Sequence, residues 1–330
     1  MYKDELQKKN GEILEKEFAK YHVPLFIQRY FVKLNSKASQ ITYWNAIKDL
    51  LLWSIQNKII VRDCIGDIIP DDLCCIESTE ILNYLKDREN EGMAVSTLAT
   101  RKQIFSSFWE YLCLTKYVPV EKNMVKSVSY SQSKCEENRR LKLPSTDDLL
   151  HMESNMMQKK DKFIRQRNVA ILHLLMGTGI REGELAGLNM NDLCMQGDDR
   201  DSRPFIKVVG KGRYRENEYR KVLLNLDAYN ALLHWLPVRQ SACETVDIDA
   251  VFICKNGRRV RENNIKAIFK NYGEITPHMV RHWYATQAIK KFGVAFVAQQ
   301  LGHKSINTTL NIYVDATHDI NVMDCDLLSV

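Results

Sequence analysis

The sequence has no apolar run approaching the roughly 20 residues that a membrane-spanning helix requires, so no helical membrane span is expected. Its opening stretch, MYKDELQKKNGEILEKEF, is charged where a secretory leader would carry an apolar centre, which argues against an export signal. None of the nine cysteines stands in CxxC spacing. The one adjacent pair, Cys74 and Cys75, cannot supply the spaced ligands of a zinc site, so all nine read as reduced thiols. There is no internal repeat, no low-complexity tract and no obvious Asp/Glu cage for a metal ion. His278 and His282 have the outer spacing of a zinc-binding H-E-x-x-H, but Met279 stands where the basic glutamate belongs. These absences lead us to expect a cytoplasmic protein with no metal, no other cofactor and no membrane partner.

The chain has 330 residues, 45% hydrophobic and 27% charged, a normal globular composition at a length that suits two domains. A net charge of +6 and a pI near 8.7 permit a polyanionic partner without establishing one. Residues 1–22 form a polar N-terminal segment with weak helical spacing. Residues 23–125 read as a bundle of about four helices. Leu25, Phe26, Tyr30, Phe31 and Leu34 make one stripe. Tyr43, Ile47, Leu50, Leu51 and Ile55 make a second, with a cap expected near Ser39. A third helix starts in ESTEIL and stops at Gly92, and a fourth carries Leu98, Phe105, Phe108 and Trp109. Residues 126–146 are polar, Ser-rich and basic, and read as a linker. The second domain, 147–318, opens on a Ser145–Thr146 cap. It holds a glycine-stopped apolar helix, two strand-like arms at Phe205–Val209 and Tyr219–Leu224 joined through a Gly-Lys-Gly turn, and then mostly helix. Residues 319–330 are a tail.

Four clusters in the second domain carry polar chemistry. In GTGIREGEL, Arg181 and Glu184 lie three apart at a helix start, which equally describes a surface salt bridge. In VVGKGRY, Lys211 sits between two glycines at a hairpin tip, a common composition for an ordinary turn. In TPHMVRHWYAT, His278 and Arg281 share a helical face after a proline suited to a first turn. In LGHKSINTTLNIYV, His303 precedes Tyr313, which taken alone reads as one more packing tyrosine among fourteen.

Together these residues suit attack on a phosphodiester. Two guanidiniums can clamp non-bridging oxygens with paired N–H donors and hold the charge that gathers in the transition state. A lysine can protonate the leaving oxygen, and a phenol can attack once its proton is drawn off.

At these residues the sequence resembles the tyrosine recombinase, or phage integrase, family: the order Arg, Lys, His-x-x-Arg, His, Tyr runs through about residues 145–318. The resemblance implies a mainly α fold with a small β-sheet or hairpin. A helical, SAM-like core-binding domain and an α+β catalytic domain would close around duplex DNA as a C-shaped clamp. It implies roles for Arg181 and Arg281 on the phosphate, Lys211 as general acid toward the 5′ oxygen, and His278 in proton transfer from the tyrosine. His303 would hydrogen-bond the phosphate, Tyr313 would act as nucleophile, and Glu184 would orient the first arginine. Basic residues of the linker (Arg139, Arg140, Lys142) and of KNGRRVRE (Arg258, Arg259, Arg261) are candidate DNA contacts, equally readable as solvated surface.

The expected activity is site-specific recombination of double-stranded DNA by a homotetramer on synapsed sites, through a 3′-phosphotyrosine and a Holliday junction, for integration or excision of a mobile element or for resolving DNA multimers. The sequence departs from the family in an acidic insertion, MQGDDRDSRPF, before the hairpin, and in YVD where YxH is usual. About 22 polar residues before the first domain are too few for a further arm-binding domain, which points to a Xer-like or small mobile-element enzyme. The short tail has Val322, Met323, Leu327 and Leu328 with which to pack into a neighbouring subunit. Two rivals remain: a type IB topoisomerase acting without a preferred site, and a non-catalytic DNA-binding regulator.

Overall fold

The computed structural model describes residues 2–115, 122–130, 143–198, 202–210, 219–242, 249–303, 305, 307 and 310. The chain divides into two compact units, Met1–Arg140 and Leu141–Val330.

The first unit is helical: α1 (Tyr2–Lys20), α2 (Leu25–Val32), α3 (Lys37–Gln56), α4 (Ser78–Asn90) and α5 (Val95–Thr115). Helices α2 to α5 are the four helices legible in the apolar stripes. Residues 1–22, set apart by their polarity, instead form α1, whose Leu14 and Phe18 join the core. The Phe18 ring meets Trp44 edge-on at 5.2 Å, a favoured quadrupole geometry. Two well-spaced apolar residues suffice to dock a helix whose other faces are wet, which is why its amphipathic signal is faint.

The cap of α3 is Ser36, one turn before the expected Ser39, and its Oγ accepts the Ser39 N–H at 3.4 Å. Buried Gln40 explains the start: its amide donates to the carbonyls of Phe31 and Leu34, tying the end of α2 against the first turn of α3. Asp49 joins three helices, accepting from Arg88 and the Tyr84 hydroxyl on α4 and from Arg101 on α5.

The second unit has α6 (Thr146–Met157), α7 (Lys162–Thr178), α8 (Glu182–Ala186), β1 (Leu193–Cys194), β2 (Phe205–Val208), β3 (Arg220–Leu223), α9 (Leu226–Ala242), α10 (Glu262–Lys270), α11 (Pro277–Phe292) and α12 (Val294–Leu301). The fold class is therefore the expected one, helices with a small sheet. The sheet is antiparallel in the order β1-β2-β3, with Phe205 opposite Leu223 and Val208 opposite Arg220. Strand β1, only two residues long, lies below what periodicity can detect.

Helix α7 is the spine of this unit, packed against α6, α9 and α11 and buried along nearly all of its second half. It starts on the Asp161 side chain, which accepts the Ile164 N–H, and ends on Gly179 at φ +62. That left-handed cap is closed by the Gly179 N–H donating to Leu175. A Cβ on Gly179 would also lie 2.3 Å from the Tyr284 ring, so the glycine lets α11 approach the end of α7. The expected cap at Ser145 is present, its side chain accepting the N–H three residues on, and Thr276 caps α11 in the same way just before Pro277.

Candidate active site

Three chain segments converge where α7 ends. The turn after Gly179 supplies Arg181 at the start of α8. Helix α11 supplies His278 and Arg281. The left-handed turn at Gly302, which closes α12, supplies His303.

Arg281 is only 4% exposed, and its contacts bind the segments together. Nη1 donates to the Gly179 carbonyl at 2.6 Å, and Nη2 donates to the Leu301 carbonyl at 2.9 Å and to His303 Nε2 at 3.0 Å. Because a guanidinium is only a donor, His303 Nε2 must accept, which places the imidazole proton on Nδ1. Burial, then the nearby charges of Arg281, Arg181 and Arg220, press the His303 pKa down to about 4. The ring is thus neutral at physiological pH.

Burial and then the Arg181 charge likewise push the Arg281 pKa down to about 9, while Glu184 pulls the other way. A guanidinium does not release its proton under ordinary conditions. Burial is the larger cause, and the Arg181 and Arg220 charges add to it against Glu184 and Glu182, so an anion placed between the arginines would offset those charges.

Glu184 is the buried counter-charge. Burial opposes its ionisation, but hydrogen bonds and charge from Arg220, then from Arg181, outweigh it and hold its pKa below the ordinary carboxylate value. It accepts the Arg181 backbone N–H at 2.9 Å and Arg181 Nη1 at 3.2 Å. Its bidentate partner, however, is Arg220 on β3, with Nη1 at 3.0 Å and Nη2 at 2.8 Å.

Arg220 also donates through Nε to the Gln300 carbonyl at 2.9 Å, and the Gln300 side chain accepts the Leu223 N–H at 3.0 Å. Arg220 thus braces α8, the hairpin and the end of α12 together. Sequence motifs alone pass over it. A signal was available: strand alternation puts Arg220 on the same face as Val222 and Leu224, both buried, so an arginine there needs a buried partner.

The Arg181 side chain remains 43% exposed beside its almost buried carboxylate partner, so its remaining donors face outward. His278 is lowered by burial and by the charges of Arg281 and Arg181, with Glu182 opposing. Its Nε2 lies 3.0 Å from His282 Nε2. Among the described residues no group of three or more His, Cys, Asp or Glu could hold a metal ion, and no helix is long and apolar enough to cross a membrane.

Lys211, Tyr313, Arg139, Arg140 and Lys142 lie outside the described residues, as do the YVD ending and the tail. Arg258 and Arg261 are exposed. Arg259 turns inward: Nη1 donates to the carbonyls of Ala186 and Leu188, and Nη2 to the Asn189 side chain, so it holds loops of its own unit.

Residues 147–319, more than half of the chain, match the model of the phage integrase family. Tyrosine recombinase XerC of Thermodesulfovibrio yellowstonii is 29% identical over 262 residues, 76% of this chain and 81% of the relative. The XerC of Yersinia pestis is 27% identical over 258 residues, 76% of this chain and 78% of its own. Among solved structures, the integrase of transposon Tn1549 with transposon right-end DNA superposes with a TM-score of 0.63 at 18% identity, covering 88% of this chain and 93% of its own. XerH recombinase in a post-cleavage complex with its difH substrate gives 0.62 at 18% identity, covering 86% and 77%. The chain belongs to the phage integrase family. It is a tyrosine recombinase by family and by fold, an enzyme of DNA strand cleavage and rejoining, and the topoisomerase and non-catalytic alternatives are not favoured.

Proposed function

We propose that the enzyme recombines double-stranded DNA at a specific site through a 3′-phosphotyrosine formed on Tyr313. The observation that carries this reading is the meeting of Arg181, Arg281 and His303 from three distant segments in one cluster, with Arg281 donating to His303 and the Arg181 charge acting on both.

The scissile phosphate sits between the two arginines, and His303 donates its Nδ1–H to a non-bridging oxygen while its Nε2 stays held by Arg281. The Tyr313 oxygen attacks phosphorus as its proton passes to His278. The bond to the 5′ oxygen breaks, and that oxygen takes a proton from Lys211. One phosphodiester replaces another, so rejoining is the same sequence reversed and needs no ATP.

Two strands are exchanged through a Holliday junction by a homotetramer on synapsed sites, in the cytoplasm, with no cofactor. Residues 23–125 act as the core-binding domain and 147–318 as the catalytic domain, joined by the 126–146 linker and closing on the duplex as a clamp. Residues 319–330 pack on a neighbouring subunit. Phosphate contacts fall to Arg139, Arg140, Lys142, Arg258 and Arg261. Arg259 serves as a scaffold for them.

The test is a pool of suicide duplexes with a randomised segment, nicked so that the cleaved end diffuses away. The wild-type enzyme yields a covalent adduct on a denaturing gel, and sequencing the captured DNA reads out the site. Tyr313→Phe binds but gives no adduct; an adduct from that variant overturns the assignment of the nucleophile.

A further inference from the structure

We infer that His282 is a positioning residue for His278, and that the two imidazoles take up one proton as a unit. This rests on the proposed role of His278 in accepting the tyrosine proton. His278 and His282 lie one turn apart on α11, their rings meet edge-on with centroids 4.4 Å apart, and their Nε2 atoms are 3.0 Å apart. At that distance one Nε2 carries the hydrogen and the other offers its lone pair. Two imidazolium rings cannot share the contact, since both nitrogens would then be donors.

The chemistry has one productive polarity. His278 donates Nε2–H to His282 Nε2, which leaves His278 Nδ1 with its lone pair. The phenolic proton of Tyr313 passes to that Nδ1 as the oxygen–phosphorus bond forms. The resulting imidazolium keeps its Nε2–H on His282, which disperses the charge as the third member of a relay does. The proton returns to the phenolic oxygen on rejoining.

The surroundings favour a single added proton. His278 faces Glu182 and Arg181 from α8 and the turn before it, and Arg281 from its own helix. Lys266 of α10 lies 3.7 Å from Glu182, and Lys270 and Glu274 line the same groove of 560 Å³ as His278. On the other side, His282 lies near enough to His303 to act on its charge. Glu182 and Glu274 can offset an imidazolium at His278, while Arg181, Arg281, Lys266 and Lys270 oppose a second positive charge.

Two variants of the full-length enzyme separate positioning from packing. His282→Phe keeps a ring but has no acceptor, so His278 becomes a weaker base. Adduct formation at neutral pH falls about 100-fold, within the range for a lost general-base function, and the acid limb of its pH profile moves to lower pH. His282→Gln places an amide oxygen near the position of Nε2 and restores both the rate, to within about tenfold, and the limb.

Long-range ¹⁵N–¹H NMR of the imidazole rings, on protein without DNA, gives a readout independent of the nucleophile. In the wild type the two rings share a first protonation, with a second at distinctly lower pH. In His282→Gln, His278 titrates in one step. Thermal unfolding and gel shift show whether each variant is folded and binds DNA, and if His282→Phe does not fold, the NMR comparison decides. The inference is overturned if His278 titrates identically with and without His282, or if both variants lose activity alike with the acid limb unmoved. An adduct from Tyr313→Phe would instead strike the proposed function and leave the paired titration standing.

Discussion

At the scale of single residues, the site is a balance between three guanidiniums and one buried carboxylate. Arg181 is the partly exposed member, so its removal should act on the reaction more than on the fold. Arg181→Ala is expected to cost roughly 2.7–4 kcal/mol of transition-state stabilisation, as for other lost oxyanion donors, with DNA binding retained in a gel shift. Arg220 differs because its fork fills a buried carboxylate. Arg220→Leu removes the bidentate partner of Glu184 and leaves it only Arg181, and should destabilise the second unit by up to about 3–5 kcal/mol, the usual cost of removing one partner of a buried ion pair. Arg220→Lys keeps the charge but gives up the fork and the hydrogen bond to Gln300, so it should fall between the two in chemical denaturation.

His303 gives a pH prediction. Its folded pKa of about 4 lies below its ordinary 6.5, so the unfolded chain binds more protons between these values. Stability therefore rises with pH through that window: the contribution is fully present above about 6.5 and lost as pH falls toward 4. His303→Gln should flatten this part of the stability–pH curve. A phosphate entering the site would offset the guanidinium charges and raise the His303 pKa. DNA binding near pH 5.5 should then take up protons, measured as a buffer-dependent heat in titration calorimetry.

At the scale of elements, the site depends on how helices stop. Gly179 ends α7 in a left-handed turn, accepts Arg281 on its carbonyl and leaves room for the Tyr284 ring. Gly179→Ala adds left-handed strain and a clash with a half-buried aromatic ring. A loss of about 2–4 kcal/mol in thermal unfolding is expected from strain and overpacking together. The stop was legible in the glycines of GTG, as were the cap at Ser145 and the first-turn Pro277, because those rules are local. Helix α1 was illegible as part of the core, since its described residues put only two large apolar side chains, Leu14 and Phe18, there and its other ties are polar, Gln7 to Lys37 and Glu17 to Trp44 and Lys48. The start of α3 was misplaced by three residues because Gln40, a long-range tie to α2, settles it rather than the serine pattern.

At the scale of the whole molecule, a net charge of +6 is too small to dictate a polyanion partner, and the concentration of cations at the site and linker matters more. If six to ten phosphates are neutralised, affinity for duplex DNA should fall about 10³–10⁵-fold between 50 and 200 mM salt. A log–log plot of affinity against salt gives the number of phosphates directly. Replacing exposed Arg258 and Arg261 by Ala should reduce that slope by about one for each phosphate left without its arginine. Arg259→Ala should instead lower thermal stability, because its donors hold the carbonyls of Ala186 and Leu188.

The sequence alone determined the four helices α2 to α5, the glycine-stopped α7, the two arms of the β2–β3 hairpin and the residue types of the candidate site, because caps, periodicity and side-chain chemistry are properties of neighbouring residues. It named Arg181, Glu184, Arg281 and His303 as a set. Only the tertiary structure decided how they divide the work: that Glu184 answers chiefly to Arg220, that His303 is held neutral by burial and then by arginines, and that Arg259 faces inward. Those outcomes depend on distances and burial between segments up to about a hundred residues apart, as with Arg281 and Gly179, whose separation along the chain is 102. Electrostatic energies of that kind vary with the separation and screening of each pair, which no local pattern encodes.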